Sequence, residues 1–136
     1  EEIYKLVNKN NNDSIHLKKF IQTPKNWRNK NLNEKWEKLK KIRDVANISI
    51  ESKRTEKMIG SSLESNIKIK LKKDLYNIAK DFDFAELCIT SAAEVLLNKN
   101  DGEEINVETY KAEGTKCNVC WKISKDKCER HGCFLN

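Results

Sequence analysis

The chain contains one proline, two histidines and no apolar run long enough to cross a membrane, which takes about 18 consecutive residues. No signal peptide is visible, and the first residue is Glu1 inside a helical-looking Glu1-Glu2-Ile3-Tyr4-Lys5-Leu6-Val7, which reads as a fragment of a longer protein. A glycine-rich phosphate loop is missing. So are a Gly-x-Ser-x-Gly elbow and any pair of isolated histidines with a carboxylate partner. Without these parts the piece by itself catalyses nothing. The single proline, Pro24, closes any helix before it.

Charged residues make up 35% and hydrophobic ones 38% of the 136 residues, so the core is modest and much of the surface ionic. Lys and Arg number 27 against 21 Asp and Glu, a formal charge of +6. That balance favours a polyanion such as RNA or DNA, although a Lys- and Asn-rich composition also arises from base-composition bias. Four of the five cysteines lie between Cys117 and Cys133. Crowded in a Cys-x2-Cys pattern within a lysine-rich chain, they point to a reducing cytoplasm and a metal rather than to disulfides.

In chain order, residues 1–30 hold a short helix, an Asn-rich turn from Asn8 to Asn12, and Ser14-Ile15-His16-Leu17. His16 sits between apolar neighbours and reads as a packing or hydrogen-bonding residue, with Trp27 anchoring the approach to the next element. From Asn31 to Ile59 the spacing predicts one long helix. Leu32, Trp36, Leu39, Ile42, Ala46 and Ile50 fall on one face, and the rise per residue gives about 40 Å. Asn31 with Glu34 resembles a capping box, and Gly60 fits the C′ position. The outer face carries Lys35, Lys38, Lys41, Arg43, Lys53, Arg54 and Lys57 among glutamates. It is either a solvated mixed-charge face or a rail for phosphates.

Past Gly60-Ser61-Ser62-Leu63-Glu64 the period changes. Ile67, Ile69 and Leu71 alternate with lysines and asparagine as a half-buried strand. A short amphipathic helix follows from Asp74 to Phe82, then a second strand over 84–95 in which Cys88 is a small core residue. Asn98 to Gly102 form a turn, and Ile105 to Tyr110 a third strand. The fold class is α+β: a helical segment with one long helix, then a small mixed α/β unit ending in a zinc ribbon or knuckle.

That knuckle carries the specific signal. Cys117 and Cys120 form one ligand pair, and Cys128 and His131 a second pair of equal spacing. Two tight turns with soft donors are how tetrahedral zinc sites are written. Cys133 in place of His131 gives an all-cysteine alternative with a wider second turn. Four protein ligands leave no open position, so the zinc would be structural. Around it lie Lys116, Trp121, Lys122, Lys125, Lys127 and Arg130. They suit a phosphate backbone with stacking on an unpaired base, unless Trp121 simply covers the metal.

Several of these residues together resemble a family. Ser14-Ile15-His16-Leu17, Trp27, Leu32 through Trp36, Leu39 and Arg43 come first. Arg54-x-x-Lys57-x-Ile59-Gly60-Ser61-Ser62-Leu63-Glu64 and Cys117-x-x-Cys120-Trp121 follow in the same order. The combination looks like the C-terminal region of bacterial-type isoleucyl-tRNA synthetases and covers nearly the whole chain. Two departures are present: only seven residues separate Cys120 from Cys128, and Cys128-Glu129-Arg130-His131 stands where the family commonly has Cys-x-Arg-Cys. The resemblance implies residues 1–60 as the end of a helical anticodon-binding domain, 61–113 as a junction domain and 114–136 as a zinc-binding ribbon. It also implies a parent enzyme that ligates isoleucine to its tRNA with ATP and Mg2+, acting in the cytoplasm as a monomer without a membrane partner. The fragment would bind tRNA-Ile and orient its anticodon stem-loop. Candidate RNA contacts are Lys116, Trp121, Lys122, Lys125 and Arg130, with Arg54 and Lys57 near the hinge. Rival readings are a free-standing zinc-ribbon nucleic-acid-binding module and a protein-interaction adaptor.

Overall fold

The structure, a computed structural model, describes residues 1–9, 13–99, 102–128 and 130–132. The middle of the Asn-rich turn, part of the 98–102 turn and Cys133 lie outside the described residues. Contacts divide the chain into residues 1–30 and 31–136.

In the first unit α1 spans Glu2–Val7, and two 3₁₀ turns follow at Ile15–Leu17 and Lys25–Trp27. Ser14 caps the first turn by accepting the His16 N–H at 3.2 Å, and the Glu1 carboxylate accepts from Ser14 Oγ and Ile15 N–H at 3.0 Å. No described residue of this unit is buried. His16, read as a packing or hydrogen-bonding residue, is exposed, which corrects the packing alternative, and Trp27 is exposed as well. Pro24 stands at the entrance to the Lys25–Trp27 turn instead of closing a helix.

In the second unit α2 runs Lys30–Thr55. Leu39, Ile42, Ala46 and Ile50 are buried as their spacing requires, whereas Leu32 and Trp36 stay substantially exposed near the helix start. Asn31 lies inside the first turn, so it does not cap the helix. The exit also differs from the expected one. Lys57, at φ 58°, takes the left-handed C′ position, with Lys57 N–H donating to Arg54 O and Met58 N–H to Lys53 O. This bond pair is a Schellman cap five residues after Ser52, and Gly60 has no part in it. Gly60 instead donates its N–H to Glu64 Oε2 at 2.8 Å, which closes the Gly60–Glu64 bend.

Strand β1 (Ser65–Leu71) is the centre of a three-stranded sheet of order β2-β1-β3. It pairs in parallel with β2 (Ala92–Leu97) and antiparallel with β3 (Ile105–Lys111). Two helices, α3 (Lys73–Ala79) and α4 (Phe84–Leu87), make the crossover from β1 to β2. The expected strand over 84–95 is therefore helix in its first half. Asp83 accepts the Glu86 N–H at 3.1 Å as an N-cap, and Ile89 at φ 55° turns the chain out of the helix before β2 starts. Apolar runs of this length do not distinguish a buried strand from a buried helical turn.

Ile67, Ile69 and Leu71 point inward and join Leu39, Ile42, Ala46, Ile50, Leu75, Ala79, Phe84 and Cys88 in one core. An edge-to-face aromatic chain, Trp36–Phe82–Phe84, extends it, with centroid separations of 5.7 and 5.5 Å. Helix α2 is also tied to this layer by polar contacts. Ser49 Oγ lies 2.7 Å from Thr109 Oγ1, and Arg43 Nε donates to Leu87 O at 3.2 Å. Arg43 is thereby removed from the basic outer face of the helix. Burial pushes the Cys88 thiol up to about 11, which fits an inert core residue.

Candidate metal centre and nucleic-acid interface

After β3 the chain turns at Gly114 into a ribbon of two short strands, β4 (Thr115–Lys116) and β5 (Ile123–Ser124), paired antiparallel. Gly114 has φ 126°, and a Cβ there would lie 2.1 Å from Ser124 O, so only glycine permits this approach. The turn between the strands is tied by Trp121 N–H to Cys117 O and Cys117 N–H to Lys122 O, each at 2.9 Å. Gly132 N–H to Cys128 O closes the second turn at 2.8 Å.

These turns bring Cys117, Cys120, Cys128 and His131 together, with all four donor atoms within 4.8 Å of one another. Cys117 Sγ lies 3.8 Å and Cys128 Sγ 3.7 Å from His131 Nδ1, and Cys120 Sγ lies 3.6 Å from Cys128 Sγ. A tetrahedral zinc with ordinary bond lengths separates its ligands by about 3.8 Å for S–S and about 3.6 Å for S–N. The cluster could hold a metal ion, and its donor set and spacing fit zinc. Val119 N–H donates to Cys117 Sγ at 3.4 Å, a contact that favours thiolate over thiol. The Cys128 thiol is held below its usual range chiefly by the His131 backbone N–H, while burial raises Cys120. The facing Cys128 and Cys117 sulfurs raise His131.

The ribbon is seated on the sheet unit by two of its side chains, Ser91 and Glu86. Ser91 Oγ accepts the Ile123 N–H at 2.6 Å and donates to Leu63 O in the Gly60–Glu64 bend. Glu86 accepts Lys122 Nζ at 2.7 Å and lies 3.6 Å from Arg130, and the Lys122 ammonium holds its carboxyl below the usual range. A cleft of about 380 Å³ runs between the two parts.

No protein-family model matches the chain. An isoleucine–tRNA ligase of Pelagibacter ubique (strain HTCC1062) is 53% identical over 131 residues, which is 96% of this chain and 14% of that protein. One from Agrobacterium fabrum is 38% identical over 123 residues, 84% of this chain and 13% of the ligase. A third, from Caldicellulosiruptor bescii, is 40% identical over 98 residues, 71% of this chain and 10% of the ligase. The chain is homologous to a segment of the isoleucine–tRNA ligases. It spans about one seventh of the length of the first two relatives.

Within this chain the seven expected RNA contacts fall into two groups. Lys116, Trp121, Lys122, Lys125 and Arg130 lie on the ribbon, and Arg54 and Lys57 at the exit of α2. The ribbon cations are largely engaged: Lys122 and Arg130 by Glu86, and Lys125 by Glu113 at 2.6 Å. Lys116 Nζ sits 5.3 Å from the Trp121 ring centre, and Trp121, at φ 65°, is 58% exposed. Arg54 pairs with Glu51 at 2.8 Å. Neither Glu86 nor Ser91 is visible as a site residue in the sequence, because each acts across more than 30 positions of chain. No helix among the described residues is long and apolar enough to cross a membrane.

Proposed function

We propose that this chain is the C-terminal, tRNA-gripping part of an isoleucine–tRNA ligase, with residues 1–60 ending the helical anticodon-binding domain, 61–113 forming a junction domain and 114–136 a zinc ribbon. The observation that carries the reading is the Cys117, Cys120, Cys128 and His131 cluster in a chain homologous to these ligases over nearly its whole length. Those four residues hold the zinc. With every position filled by protein, the ion supplies shape and folding energy and leaves none open for a reacting water.

The ribbon's turns then present Trp121 and Lys116 outward. An exposed indole beside an ammonium suits an unpaired base joined to a phosphate. Glu86 and Ser91 fix the ribbon relative to the Gly60–Glu64 bend, so the tRNA is held in one orientation rather than tethered loosely. Isoleucine, ATP and Mg2+ are handled by the rest of the parent enzyme, a monomer of the cytoplasm, and this segment contributes the grip on tRNA-Ile.

Deleting the segment from the parent tests this. ATP-dependent activation of isoleucine measured without tRNA is expected to persist, while kcat/KM for tRNA-Ile charging falls by at least tenfold, about 1.4 kcal/mol of lost transition-state binding. Charging that proceeds at the parental kcat/KM removes the tRNA role.

A further inference from the structure

The Gly60–Glu64 bend, the exit of α2 and the end of β3 enclose an open groove of about 570 Å³ lined by Arg54, Lys57, Gly60, Glu64 and Lys111, among others. Its acids and bases are unequally engaged. Glu64 is taken by the Gly60 N–H at 2.8 Å, and Glu51 by Arg54 at 2.8 Å. Among the described residues no side-chain hydrogen bond or ion pair involves Lys57 or Lys111, and both are exposed. On the ribbon, by contrast, Lys122, Lys125 and Arg130 are held by carboxylates. The groove therefore shows solvent two free ammonium groups with a guanidinium beside them, and that guanidinium has donors left over after its single ion pair.

A second observation is independent of the charges. Lys57 holds the left-handed C′ position of α2 at φ 58°. Glycine takes that conformation without strain, and any residue with a Cβ takes it less readily. A lysine there is a poor backbone choice, which makes its side chain the feature of interest. It lines the same groove as Lys111, the β3 residue paired with Ser65 just after the bend.

We infer that this groove is a phosphate-binding site for one phosphodiester of the tRNA backbone, held by Lys57 and Lys111 with Arg54 in support. The site deepens the tRNA reading above and rests on it. It moves the main backbone contact from the ribbon to the hinge and adds Lys111, which the sequence does not mark. The Ser91 hydroxyl, accepting the Ile123 N–H and donating to Leu63 O, links the ribbon to the Gly60–Glu64 bend that borders the groove.

Lys57→Gly is the discriminating variant, because it removes the cation while relaxing the backbone. The zinc-loaded chain carrying Lys57→Gly, Lys111→Gln or both is titrated with a tRNA-Ile transcript over a salt series, with Lys80→Gln, at an exposed lysine outside the groove and the ribbon, as control. Each groove substitution is expected to weaken binding about fivefold at low salt, and the double variant to lower the slope of log K against log salt by about 1. Lys57→Gly keeps or raises the melting temperature, which excludes misfolding as the cause. Lys80→Gln changes the slope less. If the double variant keeps both affinity and slope while the unmodified chain binds tRNA, the groove site is wrong and the tRNA reading stands. An unmodified chain with no salt-dependent tRNA affinity overturns both.

Discussion

Stripping the metal from the ribbon separates what zinc holds from what the apolar core holds. Between Gly114 and Gly132 only Cys117 and Cys128 are buried among the described residues, and the two strands pair over two residues each. Two polar contacts that seat the ribbon are the Ser91–Ile123 hydrogen bond at 2.6 Å and the half-exposed Lys122–Glu86 pair at 2.7 Å. Each is worth about 1 kcal/mol or less. Zinc bound by such a donor set supplies roughly 10–16 kcal/mol at neutral pH. The ribbon is thus expected to unfold on chelation while the core of Leu39, Ile42, Ile67, Ile69 and Phe84 stays folded. Amide hydrogen exchange reads this directly. After chelator is added, the amides of Cys117, Trp121, Ile123 and Gly132 should exchange freely, and those of Ile67 and Ile69 should keep their protection. Ribbon amides that remain protected without metal, or sheet amides lost together with them, would refute the reasoning.

Four further outcomes follow from named contacts. Gly114→Ala forces a Cβ onto the Ser124 backbone, so the β4–β5 pairing and stoichiometric zinc should both be lost by metal analysis. Acid should release the metal. Zinc needs the thiolates and the neutral imidazole, and Cys128 and Cys117 raise His131; as pH is lowered, zinc affinity should fall first as protons compete for the cysteines and then more steeply once His131 also protonates, at a pH above 6.5. Glu86→Gln should keep zinc but loosen the ribbon, speeding exchange at Ile123 without moving exchange at Ile69. Ile69→Ala, at a site with no exposure, should cost about 2–5 kcal/mol in denaturant unfolding of the sheet unit.

The parts of the fold legible in the sequence are those with local causes. The period of two through Ile67, Ile69 and Leu71 marks β1, and the three-and-four spacing of Leu39, Ile42, Ala46 and Ile50 marks α2, because each pattern has only one way to bury a face. The donors of the candidate site were legible for the same reason: a Cys-x2-Cys and a Cys-x2-His turn place their ligands by local geometry. What stayed hidden depends on tertiary pairing. The Phe84–Leu87 stretch is helical through the Asp83 cap, which period alone does not reveal. Lys57 took the cap expected of Gly60, since a Schellman pair can impose the left-handed conformation on a lysine. Which cations remain free also lies beyond the sequence, because Glu86 and Glu113 come from distant positions to engage Lys122, Arg130 and Lys125.

The most direct measurement is tRNA-Ile binding by the zinc-loaded chain and by the same chain after chelation, each across a salt series. With one phosphate in the groove and one beside Lys116, the loaded chain should show log K falling against log salt with a slope of about −1.5 to −2, and chelation should weaken the binding. An affinity that is flat in salt and indifferent to the metal would contradict a zinc-clipped surface that grips tRNA.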